Sequence, residues 1–398
     1  MVDFNFTEEQ ELLRSTVRQF AEKEIAPKIS EMLQKKRIPD SIINGMRKLN
    51  LFGMTVPEEF GGMGADAVTT GIAVEEISRA DPTVSLPVMF LVHNAWSYLI
   101  SKYAKPELKA EILPKIARGE ILTGIASTEP NFGSDIGSMT TTAIRHGDKF
   151  ILNGEKSFIS LVRDIKENGG GYVTVAKTDP KKGTAGVTLF YVPYDPDKIE
   201  ITPLEEMGRE GSSWGALRFK DYPLSEKYII GELNGGFKLI HEGFEFARAL
   251  IAVISAATAM TCINNGVEYM KSRKAFGQPI GKNQGLQFQL AEDVAKMEAA
   301  TTLGYKALWM YDEEQKNGKF SRFEVSKEIA IAKLLSTTWA FDAINDALQW
   351  HGAYGYTKNN PQELALRGVR SFQLAEGSRE IMKLIIARET LGRDFMKS

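Results

Sequence analysis

Hydrophobic residues in the first part of the chain recur at helical spacing. Thr7–Gln10 has the pattern of a capping box, in which the Thr hydroxyl accepts from a free backbone N–H and the Gln side chain reaches back. Leu13 and Val17 follow on one helical face, and Pro27 predicts the end of this helix. The same spacing returns at residues 73–79, so the sequence predicts a helical first region.

In the middle of the chain the hydrophobic period changes to two, which is typical of strands. Short alternating runs occupy residues 172–176, 187–192 and 216–219, with Gly, Pro and Asp residues between them. Asn153-Gly154 directly follows an apolar run and predicts a tight hairpin turn. We therefore predict a compact β domain in this region.

Helical spacing then returns and continues to the end of the chain. It predicts four long helices with short connections, which pack as an antiparallel bundle, at Phe237–Ser272, Asn283–Gln315, Phe323–His351 and Val369–Leu391. The predicted fold class is α+β multidomain, with an N-terminal helical domain (1–122), a central β-barrel-like domain (123–233) and a C-terminal helical bundle (234–398).

Composition and charge narrow the range of functions. The 398 residues include 49 basic and 51 acidic ones, for a formal net charge of -2, and no basic block stands out, so nucleic acid is not expected as a partner. Polar residues interrupt the apolar stretches, and no membrane-spanning helix is predicted. The chain start lacks a signal pattern and there is one cysteine, Cys262, which together favour a cytoplasmic location. The four histidines are far apart, so no metal site is predicted.

Four segments contain residues that could bind a ligand, although each also has an ordinary structural interpretation. Ile125–Asp135 contains hydroxyl groups and a Gly that would let a ligand approach the backbone, but the same residues also occur in a capped turn. Arg273–Ile280 offers an Arg fork for a diphosphate, or a simple helix end. Gln349–Tyr356 has two glycines that would open the backbone to a ligand or form a loop. Leu374–Ser378 places Glu376 before a helix, where a carboxylate can also act as a cap.

Together and in this order, the four segments resemble the acyl-CoA dehydrogenase family over essentially the full chain. The family pattern Thr-Glu-Pro-x-x-Gly-Ser-Asp is present at Thr128–Asp135, and Arg-x-x-Phe-Gly-x-Pro-Ile is present at Arg273–Ile280. The Gln…Gly-x-x-Gly loop of the family is similar to Gln349–Gly355, and its Glu-Gly-Thr/Ser motif is similar to Glu376–Ser378.

The resemblance implies a helical domain, a β domain and a four-helix bundle that bind FAD at their junction, usually in a homotetramer. Positions matching cofactor contacts, several of them supplied across a subunit interface, are Ser127, Thr128, Phe158, Ser160, Arg273, Phe276, Gln284, Gln349, Gly352 and Ser378. Positions expected near the acyl-CoA substrate are Ser134, Arg248, Ala375 and Gly377.

The resemblance also implies the reaction. Glu376 would remove the α-proton of an acyl-CoA thioester, and flavin N5 would accept hydride from the β-carbon, giving a 2-enoyl-CoA. The electrons would pass to an electron-transferring flavoprotein. Such a proton needs a nearby base and donors aimed at the thioester oxygen. A few family members place the base on the first bundle helix, where this chain has Ala247, which cannot take a proton. Glu245 points elsewhere and is expected to face solvent or contact CoA.

Two departures from the family pattern concern the shape of the acyl group. The residue before the base is commonly Tyr and is Ala375 here. The smaller side chain would leave room for a short, branched or alicyclic group such as cyclohexanecarboxyl-CoA, unless Phe372 or Trp96 fills the space. Residues 88–97 offer no Arg, which disfavours an ω-carboxylate acyl group because that group needs a buried cation.

Two further departures concern structure. The Asp that usually follows the equivalent of Arg367 is Gly368, which removes an ion pair of the family and has no functional explanation in the sequence. The segment from Ser160 to Gly171 is a few residues longer than usual. It could alter partner docking because it follows the predicted flavin-contacting strand, but we expect an idle surface loop there.

Other functions on the same fold stay open at this point. A flavin oxidase or monooxygenase would react directly with oxygen, although monooxygenase relatives often lack the Glu that is present at 376. The reaction could also run in reverse, as an enoyl-CoA reductase. A non-catalytic subunit without FAD would keep only the fold, and the retained cofactor positions argue against it.

Overall fold

The first region is helical, as predicted. The computed structural model describes residues 5–396. Thr7 Oγ1 accepts from the Gln10 N–H at 3.2 Å, and Gln10 Oε1 accepts from the Thr7 N–H at 3.1 Å, which completes the capping box. After the first helix the chain passes through a short π-helix, Ala21–Ile25, and a 3₁₀ turn that contains Pro27. The helices are α1 (Glu8–Phe20), α2 (Ile29–Lys35), α3 (Asp40–Lys48), α4 (Ala67–Ala80), α5 (Ser85–Tyr103) and α6 (Pro106–Ala117).

The middle region is built on an eight-stranded sheet. Its strands are β1 (Leu122–Ala126), β2 (Thr142–His146), β3 (Lys149–Ser160), β4 (Gly170–Lys177), β5 (Val187–Pro193), β6 (Ile199–Pro203), β7 (Trp214–Ser225) and β8 (Ile229–Ile230). They lie in the order β6-β7-β3-β2-β4-β5-β8, and β1 pairs in parallel with β4. The ends of β1 and β3 reach the junction with the helical regions.

The predicted hairpin turn at Asn153-Gly154 is wrong. The β2–β3 turn is Gly147-Asp148, since His146 pairs with Lys149. Gly154 lies inside β3 at a register shift, with φ of 147°, and a Cβ there would lie 2.5 Å from Thr141 Oγ1. This glycine therefore allows a β-bulge and a close approach of two chain segments rather than a turn.

The third region is a helical bundle. Its helices are α8 (Gly236–Ser272), α9 (Gln284–Asn317), α10 (Arg322–Trp350), α11 (Pro361–Arg370) and α12 (Arg379–Leu391), and a ribbon of β9 (Lys274–Ala275) and β10 (Gln278–Pro279) joins α8 to α9. Contrary to expectation, α8 has an apolar stretch as long as a membrane span. That stretch is 89% buried within the fold, which is typical of the core helix of a bundle.

The fourth predicted helix, Val369–Leu391, is not continuous. The α-helical part α11 ends at Arg370, a 3₁₀ turn spans Ser371–Gln373, and α12 begins only at Arg379. Between them, Glu376 and Gly377 have φ values of 56° and 103°, which no α-helix contains. The apolar period persists across this break, so the pattern alone did not reveal it.

The unusual Gly368 has a packing explanation. A Cβ on Gly368 would lie 2.7 Å from the carbonyl oxygen of Thr83 and 2.8 Å from Val84 Cγ2. A second loop also approaches α11 closely at this point, since a Cβ on Gly208 would lie 2.8 Å from the carbonyl carbon of Arg367. Two loops thus pack closely against α11, and a larger side chain at 368 would separate them.

The expected surface loop after Ser160 is also wrong. The segment forms a short helix, α7 (Val162–Asn168), in which Ile165 is fully buried. Gly170 then starts β4, and a Cβ on it would lie 1.9 Å from the Leu122 carbonyl oxygen. The additional residues are therefore part of the packed β domain.

Candidate active site

A cavity of about 670 Å³ lies where the three regions meet. Its walls come from α5, the segment after β1, the end of β3, the loop before β7, α8 and the segment between α11 and α12. Val88, Leu91, Phe244 and Ile251 make part of the wall apolar, while hydroxyl and charged groups line other parts. A mostly apolar pocket with a few polar groups is the usual form of a ligand site.

Many of the predicted site residues meet in this cavity. It is lined by Ser127, Thr128, Ser134, Phe158, Ser160, Arg248, Ala375, Glu376, Gly377 and Ser378, which come from all the motifs expected near the flavin ring and the thioester. The remaining predicted residues, Arg273, Phe276, Gln284, Gln349 and Gly352, do not line it.

That second group is exposed at another place, the end of the bundle where α8 and α10 stop and α9 starts. The Phe276 side chain is fully exposed, and its φ of 51° lies in the left-handed region. The rings of Tyr269 and His351 pack in a tilted arrangement with centroids 4.4 Å apart, and Trp350 Nε1 donates to Gln289 Oε1 at 2.8 Å. These contacts join the three helix ends. Within one subunit these residues therefore cannot complete the cavity.

Glu376 lies on the cavity wall in a strained conformation. Its left-handed φ of 56° costs a non-glycine residue about 1–2 kcal/mol. Its Oε2 atom is buried and accepts no hydrogen bond from any described residue. Burial raises the pKa of the Glu376 carboxyl to about 7, although Arg248 and Lys333 oppose that rise. A carboxylate that is desolvated and unpaired is a stronger base than a solvated one.

The backbone on either side of Gly377 is held by two buried cations. Arg248 Nε from α8 donates to the Glu376 carbonyl oxygen at 2.6 Å. Lys333 Nζ from α10 donates to the Gly377 carbonyl oxygen at 2.5 Å. Sequence reasoning missed Lys333, although a single cation in the apolar run Ile329–Leu335 is a signal that could have found it.

Other acidic or basic groups near the cavity are less suited to proton abstraction. Burial, followed by Arg248 and other cations, lowers the pKa of His241 to about 4, so its neutral ring is a weak base. Glu206 is paired with Arg209, whose Nε donates to Glu206 Oε2 at 2.7 Å. Of the two expectations for Glu245, exposure to solvent is wrong, because it is buried and lies 3.6 Å from Arg322, while contact with CoA stays a prediction.

The opposite wall is held by another buried pair. Lys156 Nζ donates to the Ser127 carbonyl oxygen at 2.9 Å and to Glu129 Oε1 at 3.0 Å. The Thr128 carbonyl oxygen accepts from the Ser157 N–H at 2.8 Å. These contacts fix the backbone of the predicted flavin-binding segment, and Lys156 and Glu129 were not identified from the sequence.

The side chains of this wall fit a flavin ring. Ser127 Oγ is buried and has no hydrogen-bond partner in the described part of the chain, so it can serve a ligand. Phe158 has φ of 63°, is 51% exposed and packs on Trp214 with ring centroids 5.1 Å apart. A free hydroxyl beside an exposed flat ring suits a planar heterocycle.

Arginine side chains also line the cavity, which changes one expectation. Arg209, Arg367 and Arg370 come from outside residues 88–97. Arg367 is paired with Glu363 at 2.7 Å, whereas Nη1 of Arg370 is buried and finds no acceptor among residues 5–396. The lack of Arg at 88–97 alone therefore does not exclude an acidic acyl group. Within the same residues, no group of three His, Cys, Asp or Glu could hold a metal ion.

Comparison with known proteins relates these features to a family. Three family models match: "Acyl-CoA dehydrogenase, N-terminal domain" at 7–120, "middle domain" at 124–222 and "C-terminal domain" at 234–391. An acyl-CoA dehydrogenase of Bacillus subtilis is 36% identical, covering 97% of this chain and 99% of the relative. A 3-(aryl)acrylate reductase of Clostridium sporogenes is 35% identical, with the same coverage of 97% and 99%.

A solved structure shows the same likeness in three dimensions. It is described as "Electron transferring flavoprotein of Acidaminococcus fermentans: Towards a mechanism of flavin-based electron bifurcation". One of its chains superposes on this chain with a TM-score of 0.91 at 32% identity, covering 98% of this chain and 100% of that chain.

Proposed function

Since this chain belongs to the acyl-CoA dehydrogenase family, we propose that it catalyses the α,β-dehydrogenation of an acyl-CoA thioester to a 2-enoyl-CoA. Membership confirms the resemblance and the fold class expected from the motifs, and it makes the protein an oxidoreductase with FAD as cofactor. The observation that carries the proposed reaction is Glu376, whose unpaired carboxylate lies on the cavity wall.

Glu376 acts as the base in this proposal. The apolar wall formed by Leu91, Phe244 and Ile251 excludes water from the space where the α-carbon would lie. With a pKa raised to about 7, Glu376 is ionised in a large fraction of molecules near neutral pH and still binds a proton well. The Glu376 backbone N–H, on the same strained residue, is the donor that the resemblance assigns to the thioester oxygen.

The other wall would hold the cofactor. Ser127, Thr128, Phe158 and Ser160 from that wall, together with Ser378 from the turn that carries Glu376, would position the flavin ring, with the Ser127 hydroxyl free to bond it. FAD, when bound, supplies the acceptor for the β-hydride. Arg273, Phe276, Gln284, Gln349 and Gly352, exposed at the end of the bundle, would serve FAD of a neighbouring subunit in a homotetramer.

The acyl group is proposed to be short, branched or ring-shaped. Ala375, directly before the base in the chain, lines the cavity, and Phe372 lines it as well. Trp96 is buried beneath Phe244, with ring centroids 5.4 Å apart, and does not line the cavity. The 35% identical reductase is named for aryl-substituted acrylates, which supports a ring in this position.

The same relative favours a second candidate, reduction of an enoyl substrate. A dehydrogenation and its reverse use the same groups, because Glu376 would return the proton that it removes in the forward direction. For the forward direction we propose an electron-transferring flavoprotein as acceptor, supported by the flavoprotein structure with a chain of this fold. We also propose a cytoplasmic location, which cell fractionation would test.

Anaerobic bleaching of the protein-bound flavin tests this function. We would mix the yellow protein with butyryl-CoA, isobutyryl-CoA and cyclohexanecarboxyl-CoA, and follow the flavin absorbance. Bleaching by at least one thioester, with formation of the 2-enoyl-CoA, is the expected result. If none bleaches the flavin, the reduced protein is mixed with enoyl-CoA and arylacrylate acceptors, and reoxidation there would favour the reductase. Failure in both directions would refute the proposed function.

A further inference from the structure

The turn that carries Glu376 contains a glycine, Gly377, that lines the cavity. Gly377 has no side chain, so its φ and ψ are the least restricted of any residue in the segment. Its φ of 103° and the φ of 56° at Glu376 both lie outside the range that most residues prefer. Without external contacts, this turn would exchange between several conformations.

Two contacts restrain Gly377 from both sides. The Glu376 carbonyl belongs to the peptide plane before Gly377, and the Gly377 carbonyl belongs to the plane after it. Arg248 holds the first oxygen at 2.6 Å and Lys333 holds the second at 2.5 Å. Fixing both planes fixes φ and ψ of the residue between them, because these angles are the rotations that relate the two planes.

The burial of Lys333 is unusual for a lysine whose ammonium group bonds a backbone carbonyl and no described carboxylate. Its side chain is fully buried, on a helix whose neighbouring positions are apolar. Burying an ammonium group is costly unless the charge is used or compensated. It forms no ion pair within 4.0 Å with any described carboxylate, unlike Lys156 across the cavity, which pairs with Glu129.

We propose that Lys333 is a positioning residue for proton transfer. From α10 it holds the Gly377 carbonyl, so that the turn keeps the Glu376 carboxylate and the Glu376 N–H aimed at the same substrate. The inference rests on the proposed function for its chemistry, but the restraint itself is a property of the fold. Lys333 contacts neither substrate nor the reacting atoms in this role.

Electrostatics support the geometric argument. The charged groups that act on Lys333 are Arg248 from α8, Glu376 from the turn and Glu380 from α12. Burial first, and then Arg248, lower the pKa of Lys333 to about 7, while Glu376 and Glu380 oppose this. In turn, the Lys333 charge lowers the pKa of Glu376. Lys333 therefore affects both the position of the base and its readiness to ionise.

The test compares Lys333→Met, which removes charge and donor, with Lys333→Arg, which keeps both. Lys327→Met, on the same helix but outside the cavity, is the matched control. In Lys333→Met we expect the bleaching rate per bound flavin to fall about 10- to 100-fold. We also expect its pH midpoint to move to higher pH and amide exchange of residues 374–378 to accelerate at least ~10-fold. Lys333→Arg should recover most of each effect, and Lys327→Met should match the parent.

Each outcome decides a separate question. If Lys333→Met is merely less stable, with parental exchange at 374–378, bleaching rate and pH midpoint, the positioning role is wrong. If Lys333→Met does not fold, Lys333→Gln is compared with Lys333→Arg by the same measurements, and equal behaviour of these two would overturn the role of the charge. If the parent reacts with no substrate in either direction, the proposed function fails, while the exchange measurement still tests the restraint.

Discussion

Two walls of the cavity are each fixed by a fully buried lysine, but the lysines have different partners. On the β-domain wall, Lys156 bonds the Ser127 carbonyl and pairs with Glu129. On the bundle wall, Lys333 bonds the Gly377 carbonyl and lacks such a pair among the described residues. Glu129 neutralises the charge of Lys156, whereas the charge of Lys333 acts on Glu376, the proposed base.

The difference also appears in the pKa values of the charged groups on the two walls. Burial raises the pKa of Glu129, but Lys156 and hydrogen bonds from Thr140 and Thr141 outweigh it and lower that pKa to about 2. Burial lowers the pKa of Lys156 to about 8 despite Glu129. The pKa values of Glu376 and Lys333 both lie at about 7. Glu129 therefore keeps its charge near neutral pH, whereas the Glu376 carboxyl titrates there.

The largest effect is expected for a variant that removes the proposed base and keeps the hydrogen bonds of Lys156 and Lys333 to the backbone. Glu376→Gln should keep bound FAD and acyl-CoA binding but slow anaerobic bleaching at least ~100-fold, because the amide cannot take the α-proton. Stopped-flow absorbance measures this rate. Glu268→Gln, an exposed change on α8, is the control. Comparable rates in Glu376→Gln and the parent would remove Glu376 from the mechanism.

Breaking the buried Lys156–Glu129 pair should mainly lower the free energy of unfolding. Lys156→Met leaves the Glu129 carboxylate buried without its cation, which costs about 3–5 kcal/mol in the free energy of unfolding. The melting temperature and the fraction of bound FAD should both fall. Lys149→Met, exposed on the same strand, should change the free energy by less than ~0.5 kcal/mol. Equal melting curves for the two variants would show that the pair contributes little.

Filling the space beside the base should change specificity more than rate. Ala375→Tyr should lower the bleaching rate with cyclohexanecarboxyl-CoA at least ~10-fold relative to butyryl-CoA, since the ring and the new side chain would compete for one volume. Ala185→Tyr, in an exposed turn, is the control. An unchanged ratio of the two rates would mean that Phe372 already sets the shape of the pocket.

The mildest perturbation, which changes no residue, is a change of pH on the parent protein. In the proposed mechanism the ionised form of Glu376 is the active base, so the bleaching rate at low thioester concentration should rise with pH through a midpoint near 7. Because the folded pKa is raised, ionising Glu376 also disfavours folding, and this contribution grows from the unfolded pKa up to about pH 7. Rapid-mixing rates between pH 5.5 and 8.5 would check the profile, and a flat profile would contradict this assignment.

Particular residues show why parts of the prediction succeeded. The capping box at Thr7 and the long helices α8, α9 and α10 were predicted with ends close to those observed, because their signals are local and repeat along one face. The hairpin at Asn153-Gly154 failed although its signal is also local. Gly154 is required by contact with Thr141, a neighbour that hydrophobic patterning does not identify.

The sequence by itself determined the family, the order of helical and β regions and FAD as the cofactor, because motif spacing and residue type carry that information. It also predicted Glu376 rather than Ala247 as the base. Only the tertiary structure decided that the fourth helix breaks at Glu376-Gly377, that Lys333 and Lys156 are buried beside opposite walls, and that Gly368 packs between loops. These features depend on groups far apart in the chain, and burial and distance between such groups exist only after folding.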